Sequence, residues 1–317
     1  MLTKEELAAR QFGFGGSDAA AYCGVSKWKS TLQLVLERLG EIPVSEEETE
    51  AMYWGSVFEG PILDRWSDLT GIKIRRSPKR AHKDFPFFTV NMDAIGLNHP
   101  RGPIYVEAKN FEHAYGIKTV ADLPADTYLQ GQHGLMVTGY QMVAFAIRAG
   151  GRMVDPEQMF CERDEPTIAK MMEAGRYVWE ELVCKGKLPE PDGSESCEAM
   201  LAHLYPTDKD ARVLTLDDPA ILEKAVKLQV AKLELDAAEA AVRAIKNRLK
   251  WHMADAAELV IPTWGKFTWK KSKDGVYDAV DLKKLREQFP NAFAACYEQK
   301  KRQGTRVFLM RPDKDDL

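Results

Sequence analysis

Three consecutive stretches between residues 104 and 149 constrain the fold most. "IYVEAKN" (104–110) alternates Ile104, Val106 and Ala108 with Tyr105, Glu107 and Lys109, the period-2 pattern of a strand with one apolar face. "DTYLQGQHGLMVTGY" (126–140) reads as a helix and "MVAFAIRAG" (142–150) as a buried strand. Upstream, "IKIRRS" (72–77) and "FFTVNMDAIG" (87–96) are further strand candidates. Before them, "EAMYWGSVFEGPILDRWSDLTG" (50–71) sets Trp54, Val57, Phe58, Ile62, Leu63, Trp66 and Leu69 at helical spacing, with a stop at Gly71. Trp54 and Trp66 are expected in the core. The order helix, strand meander, strand, helix, strand predicts an α/β core with a mixed central sheet.

The N-terminal part, "FGFGGSDAAAYCGVSKWKSTLQLVLERLGEIP" (12–43), reads as a glycine-rich turn, then a short helix capped by Ser17 or Asp18. A turn at Gly24–Trp28 follows, and then a helix ending at Gly40. "KGKLPEPDGSES" (185–196) is a Pro/Gly/Ser-rich boundary, which divides the chain into a core of residues 1–190 and an extension of residues 191–317. The extension opens with a long helix from about Pro219 to Glu258. Leu228, Ala231, Leu235, Ala238, Val242, Ile245, Leu249 and His252 or Met253 follow heptad steps of three and four along it. Such a seam needs a partner, and the expectation is that it packs mainly within its own subunit. Strand-like "GKFTWKK" (265–271), an amphipathic helix near "DLKKLREQF" (281–289) and a closing strand "TRVFLMRP" (305–312) follow.

At 317 residues the chain can bury one large or two medium cores. It has no apolar run long enough to span a membrane. The charged opening "MLTKEELAARQF" does not look like a signal peptide. Five scattered cysteines (Cys23, Cys161, Cys184, Cys197, Cys296) form no C-x-x-C pair, which predicts reduced thiols and a cytoplasmic protein, and excludes iron–sulfur ligation. The net charge is −4, but it is segregated. Between Lys246 and Arg311, fifteen Lys or Arg stand against seven Asp or Glu, a local excess of +8. "KIRRSPKR" (73–80) is a second basic cluster, and "SEEETE" (45–50) is acidic. A surface for phosphates and a merely solvated basic face both fit this pattern.

Glu107 and Lys109 share the second face of their strand, and spacing alone leaves two readings: a wet face or a catalytic one. Phosphodiester cleavage with Mg²⁺ needs hard oxygen ligands, and a nearby lysine can then steer the attacking water. Asp93 lies fourteen positions before Glu107, at the end of an apolar strand and before a turn. A hairpin of that length places the two carboxylates side by side. Asp–x(n)–Glu–x–Lys on adjacent strands is the pattern of the PD-(D/E)xK nuclease core.

Three more stretches sharpen this. Glu59 lies on the upstream helix, Gln130 and Gln132 lie on the downstream helix, and "FGGSDAAAYCGVSKWKS" heads the chain. Together, in this order, they resemble the YqaJ-like viral recombinase family, relatives of the phage lambda exonuclease. The resemblance covers about residues 12–151 and continues more loosely to the C-terminus. It implies a PD-(D/E)xK, restriction-endonuclease-like fold with a C-terminal long-helix extension. It also implies a Mg²⁺-dependent exonuclease, with Mn²⁺ as substitute and two ions per site, that degrades linear duplex DNA from its 5′ end. The product would be a 3′ overhang for a single-strand annealing recombinase. A homo-oligomer is implied as well, a trimeric ring among the options.

Carried over by residue, the metal ligands fall on Asp93, Glu107, Glu59 and the carbonyl of Ala108. The catalytic lysine falls on Lys109, and the helix glutamine on Gln130 with Gln132 next. The Gly-Gly-Ser-Asp run falls on Gly15–Asp18, where Ser17 either holds a phosphate or only caps a helix. Lys27, Arg75 and Arg76 are further phosphate candidates. Met92 replaces the usual proline, and Ala94 the glycine after the aspartate. An endonuclease of the same superfamily and a non-catalytic DNA-binding assembly protein are the alternatives.

Overall fold

The computed structural model of the chain describes residues 12–43, 49–113, 116–207, 213–272 and 280–298. The expected closing strand at 305–312, the basic residues from 300 to 311 and residues 45–48 of the acidic run lie outside the described residues. Two compact units divide between Pro206 and Thr207.

In the first unit, helix α1 (Ala19–Tyr22) and α2 (Thr31–Leu39) follow the glycine-rich turn. Ser30 caps α2 by accepting from Gln33 N, and Gly40 ends it at φ 74°, a left-handed conformation that glycine adopts without strain. Helix α3 (Glu50–Thr70) comes next, stopped in the same way by Gly71. Five strands follow: β1 (Ile74–Arg75), β2 (Arg80–Ala81), β3 (Thr89–Val90), β4 (Ala94–Gly96) and β5 (Ile104–Phe111). Helix α4 (Ala125–Thr138) then leads to β6 (Met142–Ala149), β7 (Arg152–Met153) and β8 (Phe160–Glu162). Helix α5 (Glu165–Arg176), a π-helical continuation at Tyr177–Val183 and α6 (Glu195–Leu204) complete the unit.

The main sheet runs β1-β4-β5-β6-β7, with β8 also on β6. Only β5 and β6 pair in parallel, because α4 carries the chain across between them. This is the expected mixed sheet, flanked by helices on both faces. The stretch 87–96, read as a single strand, is broken in two: β3 pairs with β2, and β4 pairs with β1 and β5. Both faces of β5 are buried over Ile104–Glu107, and the strand opens partly to solvent from Ala108 on. Ile104 and Val106 pack with Ile62, Leu63 and Trp66 of α3. Tyr105, on the other face, packs with Leu135 of α4 and with Val143 and Phe145 of β6. Trp66 is fully buried as expected. Trp54 is not in the core: it is 45% exposed, stacks on Phe58 and donates its ring N–H to Glu50. It lies about three turns nearer the helix start than Trp66.

Two glycines let α4 lie close on the sheet. A β-carbon at Gly131 would come within 2.5 Å of the Phe145 ring, and one at Gly134 within 2.2 Å of the Tyr105 ring. Gly134→Ala should therefore destabilise the protein by about 1–3 kcal/mol, although alanine is the better helix former. The shift of its urea midpoint measures this.

His133 of α4 is fully buried; its Nδ1 meets the Tyr22 hydroxyl at 2.8 Å and its Nε2 meets Thr89 O at 2.9 Å. Burial pushes its pKa down from 6.5 to about 4. The folded pKa lies below the unfolded one, so the unfolded chain takes up the proton first as pH falls. This residue should thus remove on the order of 2–3 kcal/mol of stability between pH 6.5 and 4. Denaturation midpoints at pH 7, 5.5 and 4.5 should show a smaller drop in His133→Asn, which cannot take up that proton.

Helix α6, placed by composition in the extension, belongs to the first unit, since Cys197 on it packs with Leu32 and Leu36 of α2. Ser196 reinforces the junction by accepting from Ser30 N at 2.9 Å and donating to Gln33 Oε1 at 2.8 Å.

The second unit contains α7 (Pro219–Met253), a β9 (Glu258–Ile261) and β10 (Gly265–Thr268) hairpin, α8 (Leu282–Gln288) and α9 (Pro290–Cys296). Helix α7 stops at Met253, before the expected Glu258, because Ala254 turns to φ 48°. Among the described residues most of the heptad seam is uncovered: Leu235, Val242 and Ile245 are exposed, and only its end at Met253 is buried. A second apolar stripe, Leu222, Val226, Val230 and Leu233, lies round the helix from the first and is exposed too. Among the described residues no helix is long and apolar enough to cross a membrane.

Candidate active site

The antiparallel register of β4 on β5 pairs Ala94 with Val106, so the next step along the ladder brings Asp93 beside Glu107. Asp93 Oδ2 accepts the Ala108 N–H at 2.8 Å. No turn follows Asp93. Ala94 continues directly into β4 and is buried against the α3 side of the sheet, which is why alanine serves where the family has glycine. Met92, in place of the usual proline, fills the core on the α4 side.

Glu107 is only 2% exposed. Its Oε1 accepts from Gln130 Nε2 at 2.6 Å and lies 2.7 Å from Lys109 Nζ, while its other oxygen accepts the Tyr105 hydroxyl. Lys109 Nζ also donates to Gln130 Oε1 at 2.8 Å. Gln130 therefore bridges the carboxylate and the ammonium, donating to one and accepting from the other. Lys109 remains partly open to solvent. Burial, with repulsion from Glu107 and then Glu59, pushes the Asp93 pKa up to about 8, against the opposing Ala108 hydrogen bond and Lys109 charge. Burial and the neighbouring Glu107 raise Tyr105 well above the usual phenol range.

Asp93, Glu107, Ala108, Lys109 and Gln130 thus come together. Gln132 does not. Two positions along a helix turn a side chain to the opposite flank, and Gln132 is fully buried there. It donates to Glu162 O and accepts from Asp164 N, both at 2.9 Å, holding α4 to the start of α5. Glu59 on α3 is close enough to raise the Asp93 pKa, but its carboxylate pairs with Arg76 at 3.2 Å. Among the described residues no three Asp, Glu, His or Cys side chains gather closely enough to hold a metal ion.

Ser17 lies exposed within the turn Gly16–Asp18 and caps no helix. Asp18 is buried and takes the Gly15 N–H at 3.0 Å. Lys27 is exposed, and so is Arg75 on β1, whose partner across the ladder is Ile95 of β4. Sequence reasoning missed Tyr105, although its place two residues before Glu107 puts both on one face.

The sequence profile of the YqaJ-like viral recombinase domain matches residues 7–141, a span holding Glu59, Asp93, Glu107, Lys109 and Gln130. The uncharacterized protein YqaJ of Bacillus subtilis (strain 168) is 30% identical over 300 residues, which is 92% of this chain and 90% of that protein. This chain belongs to the YqaJ-like viral recombinase family. The Bacillus YqaJ match extends past the profile through α7 and the hairpin, so the second unit is part of what the two proteins share. Among solved structures, an alkaline exonuclease from Laribacter hongkongensis is similar at a TM-score of 0.44 and 20% identity, over 64% of this chain and all of that one. A phage-related exonuclease from Haemophilus somnus 129PT is similar at 0.40 and 11% identity, over 55% and 96% of the two chains.

Proposed function

We propose that this YqaJ family member is a metal-dependent deoxyribonuclease that degrades linear double-stranded DNA from its ends. The observation that carries this reading is the Asp93–Glu107–Lys109 set on two adjacent strands, tied together by Gln130. A polar face kept only for solvation would not be covered by a helix, nor place a carboxylate 2% exposed beside a second one.

The donor set fits a hard divalent ion such as Mg²⁺, with Mn²⁺ as substitute. Mg²⁺ is commonly held by one or two carboxylates plus water and substrate phosphate, without a full protein cage. Asp93 and Glu107 would be those carboxylates. The carbonyl of Ala108 is a third donor, since the N–H and C=O of an extended residue point the same way and its N–H meets Asp93. Glu59 would join by leaving Arg76. A bound ion would neutralise the charge that builds on the scissile phosphate and on the leaving 3′-oxygen.

The remaining work belongs to side chains. Lys109, fixed by Glu107 and Gln130, keeps one further donor for the partly open side and orients the attacking water with it. Tyr105 and Gln130 hold the Glu107 carboxylate in one rotamer. Exposed Ser17, Lys27 and Arg75 would take DNA phosphates, as would Arg76 once released from Glu59. By family resemblance the polarity is 5′ to 3′, the product is a 3′ overhang for an annealing recombinase, and the working form is a homo-oligomer.

The test is incubation with Mg²⁺ of linear duplexes labelled at either end, beside a covalently closed circle. Linear DNA should shorten, with the 5′ label released first, and the circle should stay closed. Cutting of the circle would make the protein an endonuclease, and intact DNA in every lane would remove the reading.

A further inference from the structure

A buried guanidinium grips the glycine-rich loop at both ends. Arg38 of α2, whose side chain is 2% exposed, donates from Nε to Gly13 O at 2.8 Å and from its terminal nitrogen to Asp18 Oδ2 at 2.6 Å. The same Asp18 oxygen accepts the Gly15 N–H at 3.0 Å. Burial opposes ionisation of Asp18, yet Arg38 and Lys29 hold its carboxyl below the usual range. Buried Glu37 completes the cluster, accepting from Lys29 Nζ at 2.6 Å and Gln33 Nε2 at 3.0 Å, with Arg38 3.5 Å away. A charge cluster this enclosed is a costly way to fasten a loop, because removing one member strands the others without water.

The loop it fastens rests on the site. A β-carbon at Gly16 would lie 3.1 Å from Gln130 Cγ and 3.6 Å from Gln130 O. Gly16 is not in the left-handed region, so its backbone would accept any residue. A side chain there would press on Gln130, the residue that bridges Glu107 and Lys109, which would have to give by a few tenths of an ångström.

We propose that Arg38, together with Asp18, is a positioning residue: it sets the Gly13–Asp18 loop so that Gly16 seats the Gln130 side chain between Glu107 and Lys109. The kinetic consequence rests on the nuclease reading; the seating itself can be read without any cleavage.

Two variants test it in the full-length, metal-free protein. Gly16→Ala adds one methyl group against Gln130. Arg38→Lys keeps the charge beside Asp18 but cannot reach Gly13 O at the same time. The first readout is the side-chain amide resonances of Gln130, assigned by their loss in Gln130→Ala. Both variants should shift these resonances while the melting temperature of Gly16→Ala changes little. With Mg²⁺ and linear duplex, kcat should fall roughly 10–100-fold with KM nearly unchanged, the scale expected for a misplaced catalytic group. In a Gln130→Ala background, Gly16→Ala should cost no further activity, because the methyl group then has no side chain to displace. If Arg38→Lys does not fold, Asp18→Asn, which can still accept from Gly15 N but loses the charge that holds Arg38, takes its place, and unmoved Gln130 resonances in the folded clamp variant would overturn the role of Arg38. Unmoved Gln130 resonances in a folded Gly16→Ala would overturn the proposal. So would a Gly16→Ala loss that multiplies with that of Gln130→Ala. Shifted resonances in a protein that cleaves nothing would leave the seating intact and remove only the nuclease reading.

Discussion

Lys109→Ala should lower the cleavage rate by about 10²–10⁴-fold and leave DNA binding nearly intact. On the proposed reading the lysine orients the attacking water through a donor that Gln130, already committed to Glu107, would not replace. Folding should survive. Glu107, buried at 2% exposure, loses its cation but keeps hydrogen bonds from Gln130 and Tyr105. Single-turnover rates on a linear duplex, with binding followed separately by anisotropy, distinguish the two effects. A variant that cleaves at even about a third of the wild-type rate would show that the catalytic strand is misassigned.

Asp93→Asn should abolish cleavage and, in the metal-free state, make the protein more stable. Burial and the Glu107 carboxylate raise the folded pKa of Asp93 to about 8, above its unfolded value of 3.8. The folded state therefore binds this proton more tightly. Its contribution is complete at low pH and is lost as pH rises from about 4 through about 8. Asparagine removes that loss and can still accept from Ala108 N. In EDTA at pH 9 the variant should gain on the order of 1–3 kcal/mol, and the gain should shrink toward pH 5. Denaturant midpoints at the two pH values measure it. A variant less stable than wild type at pH 9 would mean that Asp93 is held by contacts stronger than its repulsion from Glu107.

Much of the site was legible because it is carried by strand periodicity and local spacing. The alternation in 104–110 fixes which side chains share a face, and the interval from Asp93 to Glu107 fixes their pairing. The resemblance then selected Gln130 over its neighbours only in part. Gln132 remained a candidate because spacing along a helix cannot show which flank faces the sheet. That is decided by Gly131 and Gly134, whose missing side chains bring α4 down on Phe145 and Tyr105. The break between β3 and β4 was hidden because both halves are apolar, and only pairing with different strands separates them. The Arg38–Asp18 clamp was invisible for a different reason: its partners are twenty residues apart and meet only when α2 folds back over the turn. The seam of α7 was legible as a helix face, but periodicity does not say what lies against it, and most of its residues are exposed here.

Titrating Mn²⁺ into the wild type, Asp93→Ala and Glu107→Ala by calorimetry tests most directly whether Asp93 and Glu107 are the floor of a metal site. The wild type should bind the ion with an affinity that both substitutions remove, while circular dichroism shows all three proteins folded. Unchanged Mn²⁺ affinity in both variants would contradict it.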